Sequence, residues 1–504
     1  MNHERPRFSY LIATQLFLRS LGIIYLLAIG SLWVQIEGLL GSTGILPITD
    51  YLNLLQKHFS ADAYLKAPTL LWIDANDATL HFLCGLGCAL ALHATVFPFG
   101  WIQWFALWGV YLSLTIAGQT FLNFQWDILL LEVGFLSIFL APCAIRPRFR
   151  CAAPPSTVMV WLSRWLLARF MLLSGLVKIA SNDPAWQNLT ALEYHYMTQP
   201  LPPWSAWFVH QWSPWFHSLS TGIMFFIELV VPLFVFMPRF MRLVAASFLV
   251  SLQVVIIATG NYCFFNILAI ALCFSLIDDQ FIQWSIAKIR RSPPADEGLV
   301  DENAAAPTPR AWPTLIVVPI ATVLFALSLV PTANTTCKTF GWPTDWTAKV
   351  HPYTTYARAV HLANGYGLFA NMTTDRPEIV IEGSNDGTRW TPYEFSYKPG
   401  RLDRRPGFVA PHMPRLDWQM WFAALGTVQR NPWFVSLCVH LMEGTPEVLT
   451  LLETNPFVDA PPKFIRAKRY LYKFTTPEER AQTGHWWKRK ETDMYFGPVS
   501  LRDR

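Results

Sequence analysis

Long apolar runs, each near twenty residues, recur along the first two-thirds of the chain and constrain it more than any other feature. About twenty mostly apolar residues are needed to cross roughly 30 Å of hydrocarbon. Nine candidates are legible, at about 11–34, 78–97, 100–117, 126–142, 158–180, 215–237, 243–260, 263–279 and 313–331. Lipid offers no partner to a free backbone amide, so each is predicted to be helical. The third, fourth and eighth runs are short, which gives an expected range of 7–10 transmembrane helices.

Composition supports a second solvent. The chain is 53% hydrophobic and 14% charged, with a mean hydropathy of +0.28, whereas soluble domains carry about 25% charged residues. Exposed to water throughout, such a surface would aggregate. Half of the Lys, Arg, Asp and Glu residues lie after Gly341. The predicted architecture is an α-helical polytopic membrane bundle over 1–335, followed by a smaller α+β soluble C-terminal domain over 340–504. A Pro-, Ala- and acid-rich segment at about 280–312 reads as a flexible cytoplasmic linker.

The loops fit this count. With a cytoplasmic N-terminus and an uncleaved first span, the cytoplasmic connections are the Pro98 turn, the Arg146–Arg150 loop, the Arg239–Arg242 turn and the linker with Lys288, Arg290 and Arg291. Three of the four are basic, as the positive-inside rule requires. Connections 37–77, 118–125 and 181–214 fall on the other side, as does the C-terminal domain. The sequons at Asn188, Asn334 and Asn371 share that side and would be glycosylated in a eukaryotic host.

In the C-terminal part, the alternation over Glu378–Tyr397 around Asn385-Asp-Gly predicts strand–turn–strand. Residues 464–474 read as another strand, and 415–426, 432–443 and 446–453 as helices. No internal repeat is visible. The net charge of +5 is explained by inter-helix loops, so no nucleic-acid partner is implied. The eight cysteines form no CxxC pair, disulfide framework or zinc knuckle. No GxSxG, Walker, HExxH or dinucleotide motif is present. Neither a cofactor nor a metal is expected.

Candidate functional residues fall in three groups. Arg169 and Lys178 lie within an apolar run and need partners, for which Glu132 and Glu228 in other runs are available. The alternatives are a polar pocket, a packing ion pair or snorkelling near helix ends. The aromatic-rich connection 181–214 carries Glu193, His195 and Gln199, with His210 and His217 beyond, but without metal-ligand spacing. In the C-terminal part, His412, Arg415, Asp417, Trp418 and Trp421 are concentrated in twelve residues. They read as a His412–Asp417 acid–base pair, as a core with Arg415 paired to Asp417, or as a protein-binding face, since Trp and Arg anchor interfaces. Core and interface are favoured.

Several longer strings carry a family resemblance. They are Ala168-Arg-Phe-Met-Leu-Leu-Ser-Gly-Leu-Val-Lys-Ile, the stretch Asp183–Pro202, Phe226-Ile-Glu-Leu-Val-Val-Pro, Thr259-Gly-Asn-Tyr-Cys-Phe-Phe-Asn, Arg376-Pro-Glu-Ile-Val-Ile-Glu-Gly-Ser-Asn-Asp-Gly and Pro414-Arg-Leu-Asp-Trp-Gln-Met-Trp-Phe. In order and wording they resemble the lipase maturation factor family over about 160–280 and 340–500. The resemblance implies a membrane-embedded factor, not itself an enzyme, that brings secreted dimeric lipases or other exported hydrolases to their assembled form. It implies the endoplasmic reticulum membrane in a eukaryote and the plasma membrane in a bacterium. Its partners would be that client and the bilayer. Separately, Arg169…Gly175…Lys178…Trp186 is distantly similar to the helical domain of vitamin K-dependent gamma-carboxylases. On that alternative the chain is a membrane enzyme, with Lys178 and His195 as acid–base candidates. A transporter is the third reading, without the inverted repeat that would support it.

Overall fold

The structure is a computed structural model that describes residues 9–98, 100–143, 154–290 and 311–501. The Arg146–Arg150 loop, Cys151, Arg291 and most of the expected linker lie outside the described residues.

Six described helices are long and apolar enough to cross a bilayer: Leu11–Trp33, Asp77–Val96, Thr157–Ala180, Pro214–Phe234, Arg239–Thr259 and Thr314–Thr339. A seventh results if Phe265–Leu276 and Asp279–Arg290, bent by 107° at their junction, count as one span. The described helices thus support six or seven of the nine expected spans. Trp101–Ala117 and Gln125–Leu140 have 17 and 16 residues, so at 1.5 Å per residue each reaches only about 25 Å. Gln125–Leu140 is buried along nearly its whole length. Apolarity here marks packing inside the bundle as much as contact with lipid, and composition alone does not separate the two.

Faces turned outward are apolar. Leu219, Ile223, Phe226, Val230 and Leu233 are exposed along one span, and Leu315, Val323 and Leu329 along another. The helix ends are tied by specific polar groups. Asp279 accepts hydrogen bonds from the Leu11 and Ala13 amides at 2.7 and 3.0 Å, satisfying donors at the start of the first span. Asn76 caps Asp77–Val96 by accepting from the Thr79 amide at 2.8 Å. Thr314–Thr339 continues through Pro331, eight residues beyond the end the sequence indicates. A proline inside an apolar spanning helix is tolerated where neighbouring groups satisfy the freed carbonyls.

The C-terminal region contains β1 (Arg376–Ser384), β2 (Thr391–Pro392), β3 (Glu394–Phe395), β4 (Leu452–Thr454), β5 (Phe464–Phe474) and β6 (Trp487–Val499). One antiparallel sheet has the order β2-β1-β5-β6, and β3 pairs with β4. The strand–turn–strand over 376–395 and the strand 464–474 agree with the sequence reading. Strand β6 was not foreseen: Lys488–Asp493 is a polar, exposed run with no apolar alternation. The three expected helices are Arg415–Ala424, Pro432–Glu443 and Pro446–Leu449, the last shorter than expected because the chain turns into β4, and Trp346–Ala359 and Pro477–Thr483 are two more.

A single buried apolar cluster joins Leu21, Tyr25 and Leu130 of the bundle to Ile379, Trp418 and Phe434 of the C-terminal region. Leu362 lines a small cavity with Leu136, Leu162, Leu166 and Leu324, and Asn364, Tyr366 and Gly367 contact residues of helices 125–140 and 157–180.

Candidate functional site

The charged residues singled out within the bundle are paired. Arg169 bonds Glu132 and donates to the Asn364 carbonyl at 2.6 Å. The second carboxylate oxygen of Glu132 accepts from Asn364 Nδ2 at 2.9 Å and Tyr366 OH at 2.6 Å. Lys178 Nζ lies 2.8 and 2.9 Å from the two Glu228 oxygens, donates to the Ser174 carbonyl, and sits over the Trp186 ring. A buried cation needs such a partner, because an isolated one is costly in hydrocarbon. Both cations are thus ion-paired and buried within the bundle, and neither snorkels.

The first pair also reaches across the molecule, since Asn364 and Tyr366 belong to the segment entering the C-terminal region. Three further sets of bonds do the same. Arg415 grips Asp127 with both guanidinium nitrogens, at 2.6 and 2.9 Å, and donates to the Phe121 carbonyl. Tyr111 OH completes Asp127 at 2.6 Å. Both charged side chains are fully buried. Arg376 donates to the carbonyls of Met197 and Pro200, each at 2.8 Å, and is held by Glu378, which Lys398 also binds. Asn261 accepts from the Val409 and Ala410 amides and donates to the Leu201 and Gly407 carbonyls.

The C-terminal candidates therefore do not assemble as an acid–base pair. His412 Nδ1 meets Ser31 Oγ of the first span at 2.9 Å, and burial followed by the Arg415 charge lowers its pKa. Asp417 instead accepts the Tyr397 and Lys398 amides at 2.9 and 2.8 Å. Burial pushes its carboxyl up to about 6, against the pull of those amides and of Lys398. The possible Arg415–Asp417 pairing is replaced by Arg415–Asp127, because the guanidinium faces the bundle. Trp418 lies edge-on to Trp126, 4.8 Å between centroids, and Trp421 Nε1 donates to the Thr198 carbonyl at 2.9 Å. Both tryptophans are buried and act within the molecule.

In the 181–214 connection, Gln199 donates to the Thr259 carbonyl at 2.7 Å and accepts from Tyr262 OH at 3.2 Å. His195 Nε2 meets the same hydroxyl at 3.2 Å, with Phe369 edge-on to its ring. Burial, then the Lys178 charge, brings His195 down to about 4. No hydrogen bond joins His195 to Lys178 among the described residues; each has another partner. Glu193 sits in the first turn of Ala191–Thr198. Among the described residues no group of three or more His, Cys, Asp or Glu side chains could hold a metal ion. Asn188 and Asn371 are exposed, while Asn334 lies within the helix Thr314–Thr339.

The residues that sequence reading missed are Ser31, Asp127, Asn261, Asn364, Tyr366, Arg376 and Gln35, which donates to the Met413 carbonyl and accepts from the Arg415 amide, each at 2.9 Å. Asp127 carried a signal, an acid at the start of an apolar run, and Asn261 and Arg376 lay within the strings that carry the family resemblance. The others are ordinary polar residues, and only the partner across the fold marks them.

The fold and these latches define a multi-span membrane protein whose strand-bearing C-terminal region is locked onto one end of its bundle. The comparisons make the class specific. Residues 12–284 match the lipase maturation factor transmembrane domain and 362–497 the lipase maturation factor C-terminal domain. Human lipase maturation factor 2 is 38% identical, with 97% of this chain and 83% of that protein covered. The Xenopus tropicalis protein of the same name is 36% identical over 98% and 83%. Bovine lipase maturation factor 1 is 35% identical over 96% and 88%. No solved structure matches. The chain belongs to the lipase maturation factor family, which is named for maturation and not for catalysis.

Proposed function

We propose that this chain is a membrane-embedded maturation factor that brings secreted dimeric lipases, or other exported hydrolases, to their assembled form. Its family membership over nearly the whole chain carries the reading. Several ionisable side chains of the bundle support it: Asp127, Glu132 and Arg169 bond the C-terminal region, and Lys178 is paired with Glu228. On this reading residues 1–335 anchor the protein, and 340–504 form the non-cytoplasmic module that meets the client. The N-terminus is cytoplasmic, and the membrane is that of the endoplasmic reticulum in a eukaryote or the plasma membrane in a bacterium. Asn188 and Asn371, both exposed, are the sequons open to glycosylation in a eukaryote. The buried Arg415, Trp418 and Trp421 position the module, and the client meets its exposed surface.

The test is removal of the gene in its native host, followed by the specific activity and quaternary state of each secreted lipase. Loss of active dimer with unchanged synthesis is expected. Normal assembly of all exported lipases refutes the proposal. A reporter fused behind β6 that reads out in the cytosol refutes the orientation alone.

A further inference from the structure

The lipid-facing stripe Leu219–Leu233 ends, at the start of its helix, in a group of exposed aromatic rings. Trp215 is 71% exposed, Trp212 50% and Phe208 45%. Tryptophans at the end of a spanning stripe mark headgroup depth. Beside them opens a cleft of about 640 Å³ between Trp207–Trp212 and Pro477–Gly484. Its cation is Arg480, whose guanidinium lies 3.7 Å from the Trp486 ring centroid and 4.9 Å from that of Trp207. Arg405 lies 4.7 Å from the Trp204 centroid and 6.0 Å from that of Trp486. Neither guanidinium has a carboxylate partner among the described residues. Of the acids in the first turn of Pro477–Thr483, Glu479 is tied to Lys488 at 2.6 Å, and Glu478 is exposed.

Two arginines thus lie within 5 Å of tryptophan ring centroids, without a carboxylate partner among the described residues and beside the exposed aromatic group at the end of the apolar stripe. Stacking fixes the guanidinium plane and leaves its edge free to form paired hydrogen bonds to a phosphate. An acyl chain could continue from there along Leu219 and Ile223. We propose that this cleft binds the phosphate-bearing headgroup of a bilayer phospholipid at Arg480, with Arg405, which lines the neighbouring cleft and shares the Trp486 ring, as the second cation. Such a site would fix the height of the C-terminal region over the membrane, whichever client it serves.

The test uses the full chain in detergent and native mass spectrometry, with dihexanoyl-phosphatidylglycerol, inorganic phosphate and a short-chain diacylglycerol as probes. The phospholipid is expected to bind and the other two to bind far more weakly. Arg480→Gln should weaken it about fivefold, and the Arg405→Gln, Arg480→Gln pair about twentyfold or more. Arg405 is exposed, so Arg405→Gln by itself decides the matter if the Arg480 variant misfolds. Wild-type affinity in the variants overturns the proposal. Equal binding of phosphate makes this a free-anion site, and equal binding of diacylglycerol an apolar groove; either result also overturns it. Loss of a co-purifying client with lipid binding unchanged assigns the surface to a protein and does the same.

Discussion

Replacing Arg415 by Met tests the latch between bundle and C-terminal region most directly. The substitution keeps much of the side-chain volume but removes two bonds to Asp127, at 2.6 and 2.9 Å, and one to the Phe121 carbonyl. Asp127 then remains buried with Tyr111 OH as its side-chain donor. Breaking a fully buried pair by deleting one member costs about 3–5 kcal/mol. At 1.4 kcal/mol per decade, the undocked population grows by about two to three and a half orders of magnitude. Hydrogen exchange over Arg415–Ala424 in the purified full chain reads that population, because local opening governs exchange. The Arg415→Met, Asp127→Leu double variant removes both charges and should recover most of the protection, less about 1 kcal/mol for the orphaned Tyr111 hydroxyl. Wild-type exchange in the single variant, or equally fast exchange in single and double, refutes the latch.

Two other outcomes follow from the geometry. His195 is held down at about 4 against an ordinary 6.5, so unfolding takes up a proton that the fold excludes. The stability it contributes is complete above pH 6.5 and fades as pH falls towards 4, by about 2 kcal/mol at pH 5. His195→Gln should flatten the fall in melting temperature between pH 7 and 5, and an unchanged slope contradicts this. At Gly175 an added Cβ would lie 2.6 Å from Leu229 Cδ2 and 3.1 Å from Glu228 Cβ. Gly175→Val should destabilise by about 1–3 kcal/mol, while Gly222→Ala, with open space around it, leaves the melting temperature alone.

The bundle was legible because lipid imposes a rule that any apolar stretch must obey on its own. The span count was less so: 101–117 and 125–140 are apolar but only 17 and 16 residues long, at or below the short end of what crosses a bilayer. In the candidate site, Lys178 and Arg169 announced themselves as misfits in hydrocarbon, and Glu132 and Glu228 were the acids within reach. Arg415 and Asp417 looked like each other's partners from their spacing. Rotation around a short helix instead sends one to Asp127, across 288 residues, and the other to the Tyr397 and Lys398 amides.

Local chemistry along the chain therefore determined that this protein enters a membrane, which helices and strands it forms in outline, and which charges require compensation. Tertiary structure decided which groups compensate them, that 362–369 turns back among the helices, and that the C-terminal region is fastened to the bundle. The division has a physical cause. Solvent preference and backbone propensity are properties of neighbouring residues, whereas a buried ion pair exists only once folding brings distant segments within 3 Å.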